Sequence, residues 1–317
     1  MKVRFARLLA VLGFVALASV GQPVNVQGAD TAIRVGEVNT DLYSEAYYAL
    51  DAGFFKSAGL TVEITTFPTG GAAATAVAAG AVDIAVTNPI AVANAVEHGV
   101  ALIVVANGGL YSSKAPSTAL CVGEKSPLRA PADFAGKTVA VSSLNNLEQI
   151  GFEAWLQAAG VDPSGVRFLE LKSTQMGAAL ERGTIDAAMI TEPALSLAVK
   201  NKTRIFAPAF NAIATQFPIS VWVSPSAWAS QHPDLVKRFA NVIYQAGRWA
   251  NTHHDQTAAS LTKYTTIDLD TILGMKRAIY AESLDAQALQ KELDMAYKYK
   301  LIGRPLEASQ LLLSEEH

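Results

Sequence analysis

The sequence predicts an α/β protein of two lobes, each a doubly wound, mostly parallel sheet, with a helical C-terminal region packed back on the first lobe. Three observations carry that expectation. Short apolar strands alternate with helical stretches from residue 33, the same order of elements returns about a hundred residues later, and beyond Pro233 the chain is almost wholly helical. At 317 residues, half of them hydrophobic, the chain is long enough to bury the cores of two domains. The expected boundaries are 30–115 with 223–317 for the first lobe and 116–222 for the second.

In the first copy, Ile33 to Val38 reads as a strand that breaks into Asn39-Thr40-Asp41, and Leu42 to Ser57 carries apolar residues at helical spacing. Ala58-Gly59 ends that helix, and Leu60 to Phe67 is a second strand rich in β-branched residues. Gly70-Gly71 opens an alanine-rich helix that runs to Gly80, and Val82 to Val86 is a strand ending in Thr87-Asn88. Pro89 starts the next helix, His98-Gly99 closes it, and Val100 to Ala106 is a further strand.

The second copy repeats this plan. Lys137 to Val141 is a strand breaking into Ser142 to Asn146, Leu147 to Ala159 is helical, Gly160 matches Gly59, and Val166 to Leu171 is a strand. Ser173-Thr174 opens a helix where the first copy has Gly70-Gly71. Gly183 to Ala188 then echoes Gly80 to Ala85, and Thr191-Glu192-Pro193 echoes Thr87-Asn88-Pro89. After a helix over Ala194 to Lys200 come strands at Arg204 to Ala207 and Ile219 to Val223, then helices from Pro233, at about 268–281 and at 285–299. A connection of at least two strands between the lobes is expected to act as a hinge.

Ligands of open parallel sheets sit off the carboxyl ends of the strands, so the site is expected in a cleft that the lobes share. A helix N-terminus offers free N–H groups to an anion, which Gly70 and Gly71 suit. The ligand contacts expected are Asn39, Thr40, Tyr43, Gly70, Gly71, Thr87 and Asn88 from the first lobe, and Ser142, Asn145, Asn146, Thr191 and Glu192 from the second. Tyr111 and Phe217 fall near the cleft edges, either as core residues or as a sandwich for a planar or alkyl group. Glu192 is either a helix-start residue favoured by the dipole or a direct contact; as a contact it calls for an amine or amide donor on the ligand. Asp41 is a second carboxylate expected near the cleft, and Lys172 is the one base nearby. The exchange of Asn88 for Glu192 between the copies is the expected seat of specificity.

Residues 1–29 carry Lys2, Arg4 and Arg7, an apolar run from Leu8 to Val20 and a small, polar stretch ending at Ala29. This pattern predicts a cleavable signal peptide, cut after Gly21 or near Gly28 to Ala29, and with no cysteine at either point a lipid anchor is not expected. No later apolar run reaches the length of a membrane span. Without the leader the net charge moves from −3 to about −6 and no basic cluster appears, so a nucleic-acid partner is not expected. Cys121, the single cysteine, reads as a small buried hydrophobe. His98, His232, His253, His254 and His317 all fall outside the cleft loops, and the sequence has no Gly-x-Ser-x-Gly elbow, phosphate loop or His-Glu-x-x-His. No catalytic residue, cofactor or metal is expected.

Tyr47 to Glu63, with Ala52-Gly53-Phe54-Phe55-Lys56-Ser57-Ala58-Gly59-Leu60, then Gly70-Gly71 and Gly80 to Ala85, resembles the solute-binding proteins of bacterial ABC importers in the nitrate, sulfonate, taurine and thiamine-precursor group. Ala132-Asp133-Phe134-Ala135-Gly136-Lys137 and Glu192-Pro193-Ala194 are similar to the second-lobe signatures of that group. The resemblance spans nearly the whole chain after the leader. It implies a type II periplasmic-binding fold that closes on a small-molecule solute and presents it to an inner-membrane permease, as a periplasmic monomer rather than an enzyme. The solute expected is a small organic anion or zwitterion, a sulfonate or carboxylate; the alternatives are a heteroaromatic such as a thiamine-precursor pyrimidine, or a secreted enzyme on the same fold.

Overall fold

The computed structural model describes residues 32–312, so the expected leader over 1–29 and His317 lie outside the described residues. The strands are β1 (Ile33–Val38), β2 (Val62–Phe67), β3 (Ile84–Thr87), β4 (Leu102–Asn107), β5 (Gly109–Ser112), β6 (Thr118–Gly123) and β7 (Thr138–Val141). They continue as β8 (Arg167–Glu170), β9 (Ala187–Thr191), β10 (Thr203–Ala207), β11 (Gln216–Pro218), β12 (Val221–Pro225) and β13 (Ile279–Tyr280).

The first sheet has the order β2-β1-β3-β12-β4 and the second β10-β6-β9-β7-β8. In the first, β1 runs parallel to β2 and β3, with Ile33 opposite Val62 and Val35 opposite Ile84, while β12 lies antiparallel between β3 and β4. In the second, β7 runs parallel to β8 and β9, β6 lies antiparallel to β9, and β10 pairs antiparallel with β6 and so runs in the direction of β7. Helices cover these sheets on both faces, which is why the inner strands β3, β6, β9 and β12, and the helix-covered edge strand β4, read as near-continuous apolar runs while the edge strands β2 and β8 stay largely open.

The repeated Gly-x-x-Asp has the same job in both copies. Arg34 N–H donates to Asp83 Oδ2 at 2.9 Å while Asp83 N–H donates back to Arg34 O at 2.8 Å. Likewise Thr138 N–H donates to Asp186 Oδ2 at 2.8 Å and Asp186 N–H to Thr138 O at 2.9 Å. Each aspartate therefore starts its central strand in register with the neighbouring one.

Two expected helices are interrupted. The stretch 42–57 divides into a 3-10 turn, a helix at Glu45–Asp51 and a short helix at Phe54–Ser57, because Gly53 sits at φ +74° between them. The stretch 268–281 is helical only over Leu269–Gly274. Beyond it the chain is drawn into the first half as an extended segment: Arg277 donates from Nε and Nη2 to Asp41 at 3.0 and 2.9 Å, and Ala278 N–H adds a third bond at 2.7 Å. Asp41 is thus a buried, paired carboxylate, held below its usual range because the Arg277 fork overrides the upward push of burial. The small sheet β11-β5-β13 has no counterpart in the sequence expectation, its strands being two to four residues long.

The C-terminal helices do pack on the first sheet. Pro233–Ala250 lies against Glu45–Asp51 and β4, with Phe239 stacked on Phe55 and edge-on to Trp222. Ala286–Lys298 lies against the helix Pro89–Glu97. The region also reaches the second half, where Lys200 Nζ donates to Thr271 Oγ1.

Candidate functional site

The loops after β1, β2, β3, β7, β8 and β9 meet around a cleft of about 580 Å³. Four helices of nine residues or more begin at its wall, Gly70–Ala78, Pro89–Glu97, Leu147–Ala158 and Ser173–Arg182, along with the shorter Ala194–Lys200. Each directs the positive end of its dipole toward the cleft. Three are capped by the residue just before them. Thr69 Oγ1 accepts from Ala72 N–H, Asn88 Oδ1 from Ala91 N–H and Asn146 Oδ1 from Gln149 N–H. Ala73 N–H is taken by Thr69 O, so Gly70 and Gly71 carry the N–H groups that this helix leaves for a ligand. A Cβ added at Gly71 would stand 3.5 Å from Ser143 Oγ on the opposite wall.

Asn39, Thr40, Tyr43, Gly70, Gly71, Asn88, Ser142, Asn146 and Thr191 all line this cleft. Five further candidates do not. Thr87 is buried behind the wall, its Oγ1 donating to Gly70 O at 2.7 Å, so it holds the helix start. Glu192 is turned inward onto its own helix, accepting from Ser196 N–H and Oγ at 2.9 Å each, the equivalent of Asn88 capping Ala91. Asn145 lies at the outer rim in a left-handed turn, φ +53°, its N–H given to Gln149. Tyr111 is core, its hydroxyl donating to Asn211 Oδ1 at 2.6 Å, and its ring packs on Phe210 and Phe217. Phe217 in turn lines a separate cavity of about 570 Å³ against Ala286–Lys298.

The most informative residue missed by sequence reasoning is Glu148. It is buried yet lines the cleft, with Ser142 N–H donating to Oε2 at 2.5 Å and Thr191 Oγ1 to Oε1 at 3.5 Å. Burial pushes its carboxyl above the usual range, and the Ser142 N–H opposes that push. Its signal in the sequence was an acid in a first helical turn two residues after a cap, which reads equally as dipole complement. Thr118, bonded through Oγ1 to Thr191 Oγ1 at 2.9 Å, and the segment Tyr264–Ile267 were also missed. Tyr264 reaches the cleft because its ring stacks on Tyr47 at 3.7 Å and its carbonyl accepts from Asn39 Nδ2. Among the described residues lining the cleft, Glu148 is the only acid and Lys172 the only base.

Two α/β halves with paired loops around one cleft define a periplasmic-binding-protein fold. Solved structures align over most of the chain. The alkanesulfonate-binding protein SsuA from Xanthomonas axonopodis pv. citri, bound to MOPS, is 19% identical with a TM-score of 0.76, covering 90% of this chain and 99% of that one. The periplasmic nitrate-binding protein NrtA from Synechocystis PCC 6803 is 14% identical with a TM-score of 0.72, covering 88% and 84%. Residues 43–257 match the family described as NMT1/THI5 like, and the chain belongs to that family. A taurine-binding periplasmic protein of Escherichia coli (strain K12) is 29% identical over 242 residues, 75% of this chain and 70% of that protein. A putative aliphatic sulfonates-binding protein of Bacillus subtilis (strain 168) is 23% identical over 163 residues, 46% of each.

Proposed function

We propose that the chain is an exported solute-binding protein of an ABC importer, which captures a small organic anion or zwitterion, a sulfonate or carboxylate, and delivers it to an inner-membrane permease without turning it over. The observation that carries this is the convergence of four helix N-termini and their hydroxyl and amide caps on one cleft. Such an arrangement stabilises a negative group with N–H donors and dipoles, and it needs no dense cluster of basic side chains. The names of the relatives, a taurine-binding periplasmic protein and a putative aliphatic sulfonates-binding protein, support a sulfonate solute and a periplasmic location. In this proposal 30–115 with 223–317 and 116–222 act as lobes that close on the solute as a monomer, after the leader has been removed.

Titration calorimetry with a panel of sulfonates, carboxylates and pyrimidines tests it. Saturable binding of a sulfonate or carboxylate is expected. Tight binding of a pyrimidine with none for any organic anion would overturn the solute class, and conversion of a bound solute to product would overturn the binding role.

A further inference from the structure

Glu148 has an unusual position for a carboxylate in a cleft built for an anion. Its Oε2 is committed to Ser142 N–H, and Oε1 makes the long 3.5 Å contact with Thr191 Oγ1, whose hydroxyl has a nearer partner in Thr118 at 2.9 Å, while the Ser142 hydroxyl and the Asn146 amide act on the carboxylate from beside it. A contact of that length contributes little, so one oxygen keeps acceptor capacity beside the cleft. Among the described residues no lysine or arginine is paired with it. A simple anion bound alongside would be repelled at low effective dielectric, and the buried carboxylate would stay without an ionic partner.

We propose that Glu148 selects solutes that carry a positively charged amine, so that the cleft takes a small zwitterion with its ammonium on Glu148 and its anionic end on the Gly70 and Gly71 N–H groups and Lys172. This rests on the anion-binding role proposed above and narrows it. The lining itself has one base and one acid amid neutral donors, which is the charge pattern of a zwitterion's complement. An ammonium on Oε1 supplies the missing partner and makes a charge-assisted hydrogen bond. The expected role of Glu192 thus passes to Glu148, since Glu192 has both oxygens engaged by Ser196.

The test is calorimetry on the full mature chain with two matched pairs that differ only by the amine, 2-aminoethanesulfonate against ethanesulfonate and 3-aminopropanoate against propanoate. The wild-type protein is expected to prefer the amine in at least one pair by roughly ten- to a hundredfold, the range of a hydrogen bond to a charged group. In Glu148→Gln that preference should collapse to about twofold or less while the des-amino anion binds as well as before or better; Glu148→Asp, which keeps the charge, should retain part of the preference. Equal binding of the two members in the wild type, or a preference that survives in Glu148→Gln, would overturn the role of Glu148 and leave the anion-binding role standing. Failure of all four compounds to bind the wild type would overturn both. A thermal melt of each variant separates misfolding from lost recognition, and if Glu148→Gln fails to fold, the wild-type pairs and Glu148→Asp still decide.

Discussion

The two halves of the molecule are alike where the chain builds its frame and unlike where it meets the cleft. Asp83 and Asp186 tie their central strands with the same reciprocal pair of hydrogen bonds, and Asn88 and Glu192 both cap the helix that follows. At the cleft, the first half offers bare backbone at Gly70-Gly71, where the second offers hydroxyls at Ser173-Thr174 and a buried acid at Glu148. The repeat therefore transmits geometry, and the chemistry of recognition lies in what differs. The first half also depends on the C-terminal region for its integrity, through the buried pair of Arg277 and Asp41, whereas the second holds no comparable buried pair among the described residues.

That asymmetry can be broken most forcefully at Arg277. Arg277→Met leaves Asp41 buried without its partner, and urea denaturation should show a loss of roughly 3–5 kcal/mol. A loss below about 1 kcal/mol would mean the pair does not anchor the first half. Next in size is a dependence on pH. Burial pushes Glu45 up to about 8, with the Trp222 indole opposing it, and neither carboxylate oxygen has a hydrogen-bond partner of good geometry. The folded value exceeds the unfolded one of about 4.3, so the contribution is fully present below that value and is lost as pH rises toward 8. Stability should fall across this window by on the order of a few kcal/mol, and Glu45→Gln should make the profile shallower, with buried Glu37 and Glu292, also pushed up by burial, keeping part of the slope. A wild-type melting curve that is level from pH 5 to 8 would exclude it.

A smaller effect is expected at the cleft. Gly71→Phe places a ring between the walls near Ser143, and solute affinity should fall more than about tenfold with stability changed by less than about 0.5 kcal/mol. Unchanged affinity would remove the first helix start from the site. The smallest test addresses the equivalence itself: Asn88→Ala and Glu192→Ala should each cost about 1 kcal/mol as lost caps, and Glu192→Ala should leave solute affinity as it was. A selective loss of affinity in Glu192→Ala would return specificity to that position.

Much of the frame was legible because its signals are local. Strand runs, the Gly-Gly helix start and the two Thr-x-Pro ends follow from neighbours in sequence, and counting from them located the six loops. What escaped was set by distant partners. The break of the 268–281 helix follows from Arg277 finding Asp41, 236 residues away. Tyr264 enters the cleft only because Tyr47 and Asp51 hold it there, its hydroxyl donating to Asp51 Oδ1 at 3.1 Å. Glu192 and Glu148 share one residue type and one place near a helix start, and only the direction of each side chain separates a cap from a cleft residue.

The lone cysteine has a practical consequence. Cys121 is fully buried in β6, and burial pushes its thiol up to about 12, so it offers almost no thiolate to a labelling reagent at neutral pH. Thr266, exposed at the cleft wall, is therefore a position where an introduced cysteine would react alone. An environment-sensitive dye attached to Thr266→Cys would turn solute capture into a fluorescence signal, giving a reagentless sensor whose readout needs no second site to be silenced.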